Sequence, residues 1–290
     1  MQYLFYNPLS NNLRGEEKVS ELLQKAGQME KFDVTAHDEG ATRDFCSRLD
    51  PKEDKIYLVG GDGTLQRFAN AVYGLELPPV IFCPAGTGND FCNDVKEKVV
   101  DGAVQINDYI KNLPLVTIKD KSFRFVNGIG FGVDGMACEV ADNIRAKKPH
   151  KKINYTTIVI KLGLFGYKRR NATVTCDGVT KEYKNIWICP TMKGRFYGGG
   201  MMIAPMQNRH DPDGKVTLVC GRCRSRIRLL LLMGWYLRHR IHPPKGGLLL
   251  PPGAQRPSAR ISGISEEMKK RPTANGCGAV SRLSKKWSFR

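Results

Sequence analysis

No stretch of the 290 residues reaches the ~18 consecutive apolar side chains that a membrane-spanning helix needs. The opening MQYLFYNP lacks the basic region and long apolar core of a signal peptide. The nine cysteines are scattered, and only Cys220 and Cys223 lie close together, so they read as reduced thiols in a cytoplasmic protein. The sequon at Asn171-Ala172-Thr173 is then accidental. The five histidines show no metal-ligand spacing. Acidic residues nearly vanish from the last quarter. Residues 220–290 hold 16 Lys+Arg against 2 Asp+Glu, whereas residues 1–219 hold 30 against 26. The overall charge of +18 is thus mostly that quarter's, and no nucleic-acid partner is expected for the rest.

What is present is alternation. Apolar or β-type runs at 2–6, 31–36, 56–59 and 79–83 are each followed by a segment of helical spacing: 16–27, 41–49 with Thr42 as cap, a helix from Thr64, and one from about Phe91. Strand and helix in alternation over ~100 residues imply a parallel α/β sheet with right-handed crossovers. From residue 115 the pattern turns β-rich, with runs at 116–118, 123–126, 172–176, 184–189 and 216–219, separated by turns such as Asp213-Gly214. The expected division is therefore a nucleotide-binding α/β domain over 1–114, a largely antiparallel β domain over 115–219, and a basic tail over 220–290. Residues 155–167 (YTTIVIKLGLFGY) read as a buried helix or a surface flap.

Two glycine-rich loops carry the chemistry. Gly60-Gly61-Asp62-Gly63-Thr64 follows the strand at 56–59, and Gly86-Thr87-Gly88-Asn89-Asp90 follows the next one. Glycines at a strand-to-helix corner let the backbone approach a bulky anion, and the helix N-terminus behind them offers unpaired N–H groups. Both loops should lie at the C-terminal edge of the sheet, where ligands bind. Neither is a P-loop, since no Gly-Lys-Ser/Thr follows, and neither is a dinucleotide Gly-x-Gly-x-x-Gly. Phosphates would be held by backbone N–H groups, Thr hydroxyls and an Asp-bound metal.

These loops, with Asn7-Pro8 before them and Gly194-Arg195-Phe196-Tyr197-Gly198-Gly199-Gly200 after them, resemble the diacylglycerol kinase catalytic-domain family. That family takes in sphingosine kinases and bacterial lipid kinases, and is more distantly similar to NAD kinases. The resemblance covers residues 1 to about 219. It implies an N-terminal α/β domain, a C-terminal β-sandwich-like domain, and transfer of the γ-phosphate of ATP, with Mg²⁺, to a hydroxyl of a neutral lipid at a membrane surface. Diacylglycerol is the leading acceptor, with a sphingoid base or NAD as alternatives, and an oligomer is left open. The resemblance places Gly60, Gly61, Gly63 and Thr64 on the nucleotide, Asn7, Thr35, Gly86 and Thr87 near ATP, and Asp62 and Asp90 as an acidic pair serving Mg-ATP and the cleft. Asp211 and Asp213 fall where bacterial members carry a structural metal, although an Asp-Gly turn accounts for them as well. Asn127 to Asp134 also resembles the family. Its reading from the residues alone is close packing at a domain junction, and Asp134 enters as a cleft residue through the resemblance only.

Arg145 to Lys152 is a basic run beside the apolar segment 155–167. It reads either as a contact for acidic lipid headgroups, giving transient peripheral membrane association, or as a solvated loop. After Cys220 the pattern breaks. Arg226 to Met233 still has a helical look, but Pro243-Pro244 and Pro251-Pro252-Gly253 introduce a stretch without strand alternation, which reads as disorder. The family's late Asp-Gly-Glu, which supplies the carboxylate that deprotonates the acceptor, has no counterpart after residue 219. Together these features point to a shifted reading frame beginning between residues 220 and 234, with a genuine basic tail that docks on anionic membrane or nucleic acid as the alternative; the missing carboxylate also leaves open a catalytically impaired nucleotide- or lipid-binding protein.

Overall fold

The computed structural model describes residues 1–227, apart from 11–14, 119–120, 149–150, 152, 177 and 223–224, together with 231, 259–262 and 287–289. The chain divides into one unit over Met1–Leu113 and a second over Pro114–Arg290.

In the first unit, β1 (Gln2–Tyr6), α1 (Gly15–Ala26), β2 (Glu30–Asp33), α2 (Glu39–Cys46), β3 (Lys55–Gly60), α3 (Asp62–Ala71), β4 (Val80–Pro84), α4 (Asp90–Asp94), β5 (Val104–Gln105) and α5 (Asn107–Ile110) follow in order. The sheet order is β2-β1-β3-β4-β5, with the first four strands parallel and β5 antiparallel to β4. Side chains alternate across β1 because successive Cβ atoms leave a strand on opposite faces. Leu4 joins Val19 of α1 and Val59 in one cluster. Phe5 meets Phe32, Phe45 and Phe68 on the other face, with ring centroids 4.7, 5.5 and 5.7 Å away. Covering both faces explains why β1 and β3 read as unbroken apolar runs. Each such side chain stabilises the unit by about 1.5–3 kcal/mol.

The caps differ from expectation. Asp38, not Thr42, caps α2: its carboxylate accepts the Ala41 N–H at 2.8 Å. Thr42 lies inside the helix, and its hydroxyl donates back to the Asp38 carbonyl at 3.0 Å. A carboxylate ahead of the first turn answers the helix dipole better than a neutral hydroxyl one turn later. The α3 C-terminus is closed by Arg43, whose guanidinium donates to the Ala71 and Tyr73 carbonyls at 3.0 and 2.9 Å.

The second unit runs β6 (Leu115–Ile118), β7 (Lys121–Arg124), β8 (Gly128–Ile129), α6 (Val133–Lys147), α7 (Tyr155–Lys161), β9 (Arg170–Cys176), β10 (Val179–Ile188), β11 (Thr191–Met192), β12 (Phe196–Tyr197), β13 (Met201–Met202), β14 (Thr217–Leu218), β15 (Gly221–Arg222), β16 (Ala259–Ser262) and β17 (Trp287–Phe289). A seven-stranded sheet in the order β15-β10-β9-β16-β17-β6-β7 is antiparallel at every junction. A smaller sheet runs β14-β11-β8. One core draws on both: Val116, Ile118, Ala172, Val174 and Ile186 from the large sheet, and Ile129 and Leu218 from the small one. Two sheets sharing one apolar core form a β-sandwich-like layer pair.

Segment 155–167 begins as a helix, as one of the two expected forms had it, but one only partly buried. It is α7 followed by a π-helical turn over Leu162–Gly166. Phe165 is 85% exposed, while Tyr167 is buried against Trp187. Arg226 closes this turn, donating to the Gly163 and Leu164 carbonyls at 2.9 and 3.0 Å.

The second unit also reaches further along the chain than residue 219. β15 pairs with β10, and β16 and β17 insert between β9 and β6. Backbone pairing needs no alternating side chains, so the composition of these short segments does not announce them. The reading of the tail as disordered otherwise falls on residues outside the described set, as does most of the helix expected at 226–233.

Candidate nucleotide site

Because β2, β1, β3 and β4 are parallel, their C-terminal ends share one edge. That edge carries Thr35, Asn7, the loop Gly60–Thr64 and the loop Gly86–Asp90. The chain's progression through the sheet reverses between β1 and β3, and ligands of open α/β sheets sit at such a switch point. Asn7 and Gly60 stand on either side of it. The Asn7 side chain bridges it by donating from Nδ2 to Thr64 Oγ1 at 3.0 Å, and its Oδ1 accepts the Leu9 N–H at 2.9 Å.

Parallel pairing sets Gly60 opposite Pro84, and the Ala85 N–H donates to the Gly60 carbonyl at 2.8 Å. The two loops therefore touch backbone to backbone. A Cβ on Gly86 would stand 2.8 Å from Gly61 Cα, and one on Gly60 would stand 2.5 Å from the Thr64 side chain. Gly61 is the N-cap of α3 and, having no side chain, supplies that helix with no capping group of its own. Such a helix start behind a glycine floor is the arrangement that receives a phosphate.

Asp62 does something that the sequence reading did not anticipate. Its Oδ2 accepts the Asp90 N–H at 3.0 Å and its Oδ1 accepts the Phe91 N–H at 2.9 Å. The carboxylate of the first loop thus caps α4, the helix that follows the second loop. Asn89, in the left-handed region at φ 48°, turns the chain into that helix, and its Oδ1 accepts the Gly86 N–H at 3.2 Å. The Asp90 and Phe91 amide donors of α4 are thus taken by Asp62, which makes the start of α3 the better placed of the two helices to receive an anion.

The other expected contacts sort accordingly. Thr64 is buried, with its hydroxyl engaged by Asn7; Thr87 and Thr35 are exposed. Thr35 donates its hydroxyl and its N–H to Asp33 Oδ1, both at 2.7 Å. Asp90, at the end of the second loop, is buried. Gly63 lies in the first turn of α3. In the second unit, Asp211 Oδ1 accepts the N–H groups of Asp213 and Lys215, at 3.0 and 3.3 Å, and Asp213 pairs with Lys215 Nζ at 2.7 Å. That is a self-satisfied turn. Among the described residues no group of three or more His, Cys, Asp or Glu gathers to hold a metal ion.

Comparison with known proteins decides the lineage. A model of the diacylglycerol kinase catalytic domain matches residues 2–117, and one of the YegS C-terminal NAD kinase beta sandwich-like domain matches residues 127–237. The chain belongs to the diacylglycerol kinase catalytic-domain family. The second match carries the family past residue 219. Within the family, the chain is 22% identical over 236 residues to "Putative lipid kinase YtlR" of Bacillus subtilis (strain 168), covering 75% of this chain and 76% of that one. It is 26% identical over 188 residues to the "Diacylglycerol kinase" of Mycobacterium tuberculosis (strain ATCC 25618 / H37Rv), where the match spans 62% of this chain and 58% of the relative's length. The crystal structure of a diacylglycerol kinase from Bacillus anthracis str. Sterne has the same fold, with a TM-score of 0.60 at 17% identity, covering 99% of this chain and 93% of that one.

The family's second domain holds polar groups that spacing alone did not single out. Arg209 is buried and donates to the Val126 carbonyl at 2.6 Å and to Asn127 Oδ1 at 2.8 Å. The Asn127 carbonyl in turn accepts the Lys193 and Gly194 N–H groups at 2.8 and 2.9 Å. Lys193 is also buried, and burial first, then the Arg209 charge, pull its ammonium below the usual lysine range. Asp134 stands in the first turn of α6, so close to Gly130 that a Cβ there would strike its carboxylate. Both of its oxygens are shut off from solvent without a well-formed hydrogen bond. Burial pushes this carboxyl up, and the Tyr197 side chain and the Gly135 backbone only partly oppose the shift. Close packing, the reading made from the residues, holds for Gly130; the buried carboxylate beside it had no signal but the resemblance.

Two predictions follow from these groups. Asn7→Ala loses the bonds to Thr64 and Leu9, at about 1 kcal/mol each, so ATP titration should show several-fold weaker binding with the fold retained. Asp134→Asn should change the pH dependence of melting. A carboxyl raised on folding favours the folded state only below its unfolded pKa, and that contribution is lost as pH rises through the folded value. At neutral pH the variant should melt a few degrees above the parent, and the gap should close toward about pH 4. Thermal melts across that range test this, and a pH-independent gap would assign it to packing.

Proposed function

We propose that the chain transfers the γ-phosphate of ATP to the hydroxyl of a neutral lipid, with diacylglycerol the leading acceptor and phosphatidic acid the product. The observation that carries this reading is the N-terminus of α3 beneath the Gly61–Gly86 contact, with Asp62 lashing the second loop in place. The relatives' names supply the lipid class. Backbone N–H groups at Gly61 to Gly63 would hold the phosphates, and the Asn7–Thr64 bond fixes the helix start against β1. Thr64 and Thr87 would contribute through the shape of their loops. Positioning and charge neutralisation account for most of phosphoryl-transfer catalysis, so a rigid floor is the larger part of what the protein provides. Mg²⁺, when bound, supplies the charge neutralisation between phosphates, and Asp62 is the nearest acidic group in the loop; a carboxylate accepting two N–H bonds retains lone pairs for that purpose.

Access to the lipid at a membrane surface is supported by Phe165 and Ile160, exposed at 85% and 42% after the basic run. Among the described residues no helix is long and apolar enough to cross a membrane. A second reading, a nucleotide- or lipid-binding protein with little turnover, is favoured by the missing Asp-Gly-Glu. A labelled-ATP assay with diacylglycerol, sphingosine and NAD separates the cases. Labelled phosphatidic acid supports the first reading. ATP binding without any product supports the second. Phosphorylation of NAD alone would overturn both.

A further inference from the structure

We propose that Cys189 and Cys220 form a reversible disulfide, closed by peroxide, that staples the edge strand β15 to β10. The two sulfurs are 3.1 Å apart in the core of the second unit. Their placement follows from the register. Ile188 pairs with Gly221, and the Val219 N–H donates to the Pro190 carbonyl at 2.9 Å, so Cys189 and Cys220 face each other between two bonded positions. The Cys189 N–H points away from Cys220 and donates to the Phe131 carbonyl at 2.6 Å. Facing residues at such a non-hydrogen-bonded site have Cα atoms about 4.5 Å apart, inside the range that a disulfide spans. The sulfurs need close by only about 1 Å to reach bonding distance.

The pair is also chemically unequal. Cys189 is 1% exposed and Cys220 8%. The contact between the two sulfurs, and after it the Arg222 charge, favour the Cys220 thiolate against its burial, while the same contact and burial push the Cys189 thiol up. Cys220 is thus the nucleophile and Cys189 the resolving thiol. Its sulfur attacks one peroxide oxygen, an S–O bond forms as the O–O bond breaks, and the departing hydroxide leaves as water. The Cys189 sulfur then attacks the Cys220 sulfenic acid. The S–S bond forms as S–O breaks, and the Cys189 proton leaves with the hydroxide as a second water. The net change is two thiols and one peroxide to one disulfide and two waters; a dithiol reverses it. The loop so closed contains β11 to β14 and the Gly194–Gly200 segment. Cys46 and Cys83 are buried as well, but they are not paired with another thiol, and burial raises both, to about 12 and about 11.

The test uses the full reduced chain, titrated with hydrogen peroxide, quenched with a maleimide and digested. The expected result is one Cys189–Cys220 linked peptide, loss of two hydrogens in the intact mass, and a melting midpoint several degrees higher that a dithiol returns to the starting value. Cys189→Ser and Cys220→Ser should each abolish the link and the shift, while Cys46→Ser and Cys223→Ser keep both. If the serine variants fold poorly, Cys189→Ala with the parent's own dithiol-reversible shift serves instead. Unreacted thiols at both positions, over-oxidation of Cys220 without a link, or a Cys220–Cys223 peptide would each overturn the proposal.

Discussion

A Gly86→Ala chain is expected to bind ATP at least tenfold more weakly than the parent, with only a modest loss of thermal stability. The new Cβ would stand 2.8 Å from Gly61 Cα and 2.9 Å from Asn89 Oδ1. Gly61 cannot retreat easily, because it is the N-cap of α3 and its carbonyl accepts the Thr64 and Leu65 N–H groups, both at 3.0 Å. Relief must come from parting the two loops. Overpacking of this kind costs about 1–3 kcal/mol, and about 1.4 kcal/mol is a factor of ten in affinity. Gly40→Ala is the control. It lies in the first turn of α2, where the nearest atom to a new Cβ is a side-chain oxygen of Asp38 at 3.3 Å. Alanine also favours a helix over glycine. Equal ATP titrations for Gly86→Ala and the parent would remove the glycine contact from the nucleotide floor.

Asp62→Ala is expected to do more damage, to folding as well as to binding. It strands the Asp90 and Phe91 N–H groups at the start of α4. Hydrogen bonds to a charged group contribute about 1.5–3 kcal/mol each, so the first unit should lose about 3–6 kcal/mol, a large share of a domain's usual 5–15. Asp62→Asn keeps one acceptor and turns an amide donor toward the other N–H, so an intermediate loss is expected. Binding measured with and without Mg²⁺ distinguishes the roles of this carboxylate. A strut fails in both conditions and lowers the melting temperature. A metal ligand fails only with the ion present and leaves melting unchanged.

The contrast between these positions says what a sequence can reveal here. Unbroken apolar runs such as Ile56 to Val59 exist because both faces of the strand are covered, and that is enough to read a parallel sheet. The edge on which Asn7, Thr35, Gly60–Thr64 and Gly86–Asp90 meet then follows from strand direction, before any side chain is placed. The bond from Asp62 to the Asp90 and Phe91 amides, 28 and 29 residues away, has no such signature. It depends on Gly60 and Pro84 being opposite each other, which is a fact of register. Segment 155–167 misled for another reason. Its apolar side chains suggest burial, yet Phe165 faces solvent, while Leu162 and Tyr167 pack into the cluster around Trp187. Composition reports how much apolar surface a segment has, and not which part of it finds a partner.

The insertion of β16 and β17 between β9 and β6 has a consequence for shortened forms of the chain. Without residues 259–289, the large sheet separates into two ribbons, β15-β10-β9 and β6-β7, each with a raw flank of unmatched backbone donors and acceptors. Such flanks recruit extended strands from other molecules. A prematurely terminated polypeptide would therefore betray itself by self-association rather than by loss of the glycine-lined edge, whose strands all come from the first 113 residues.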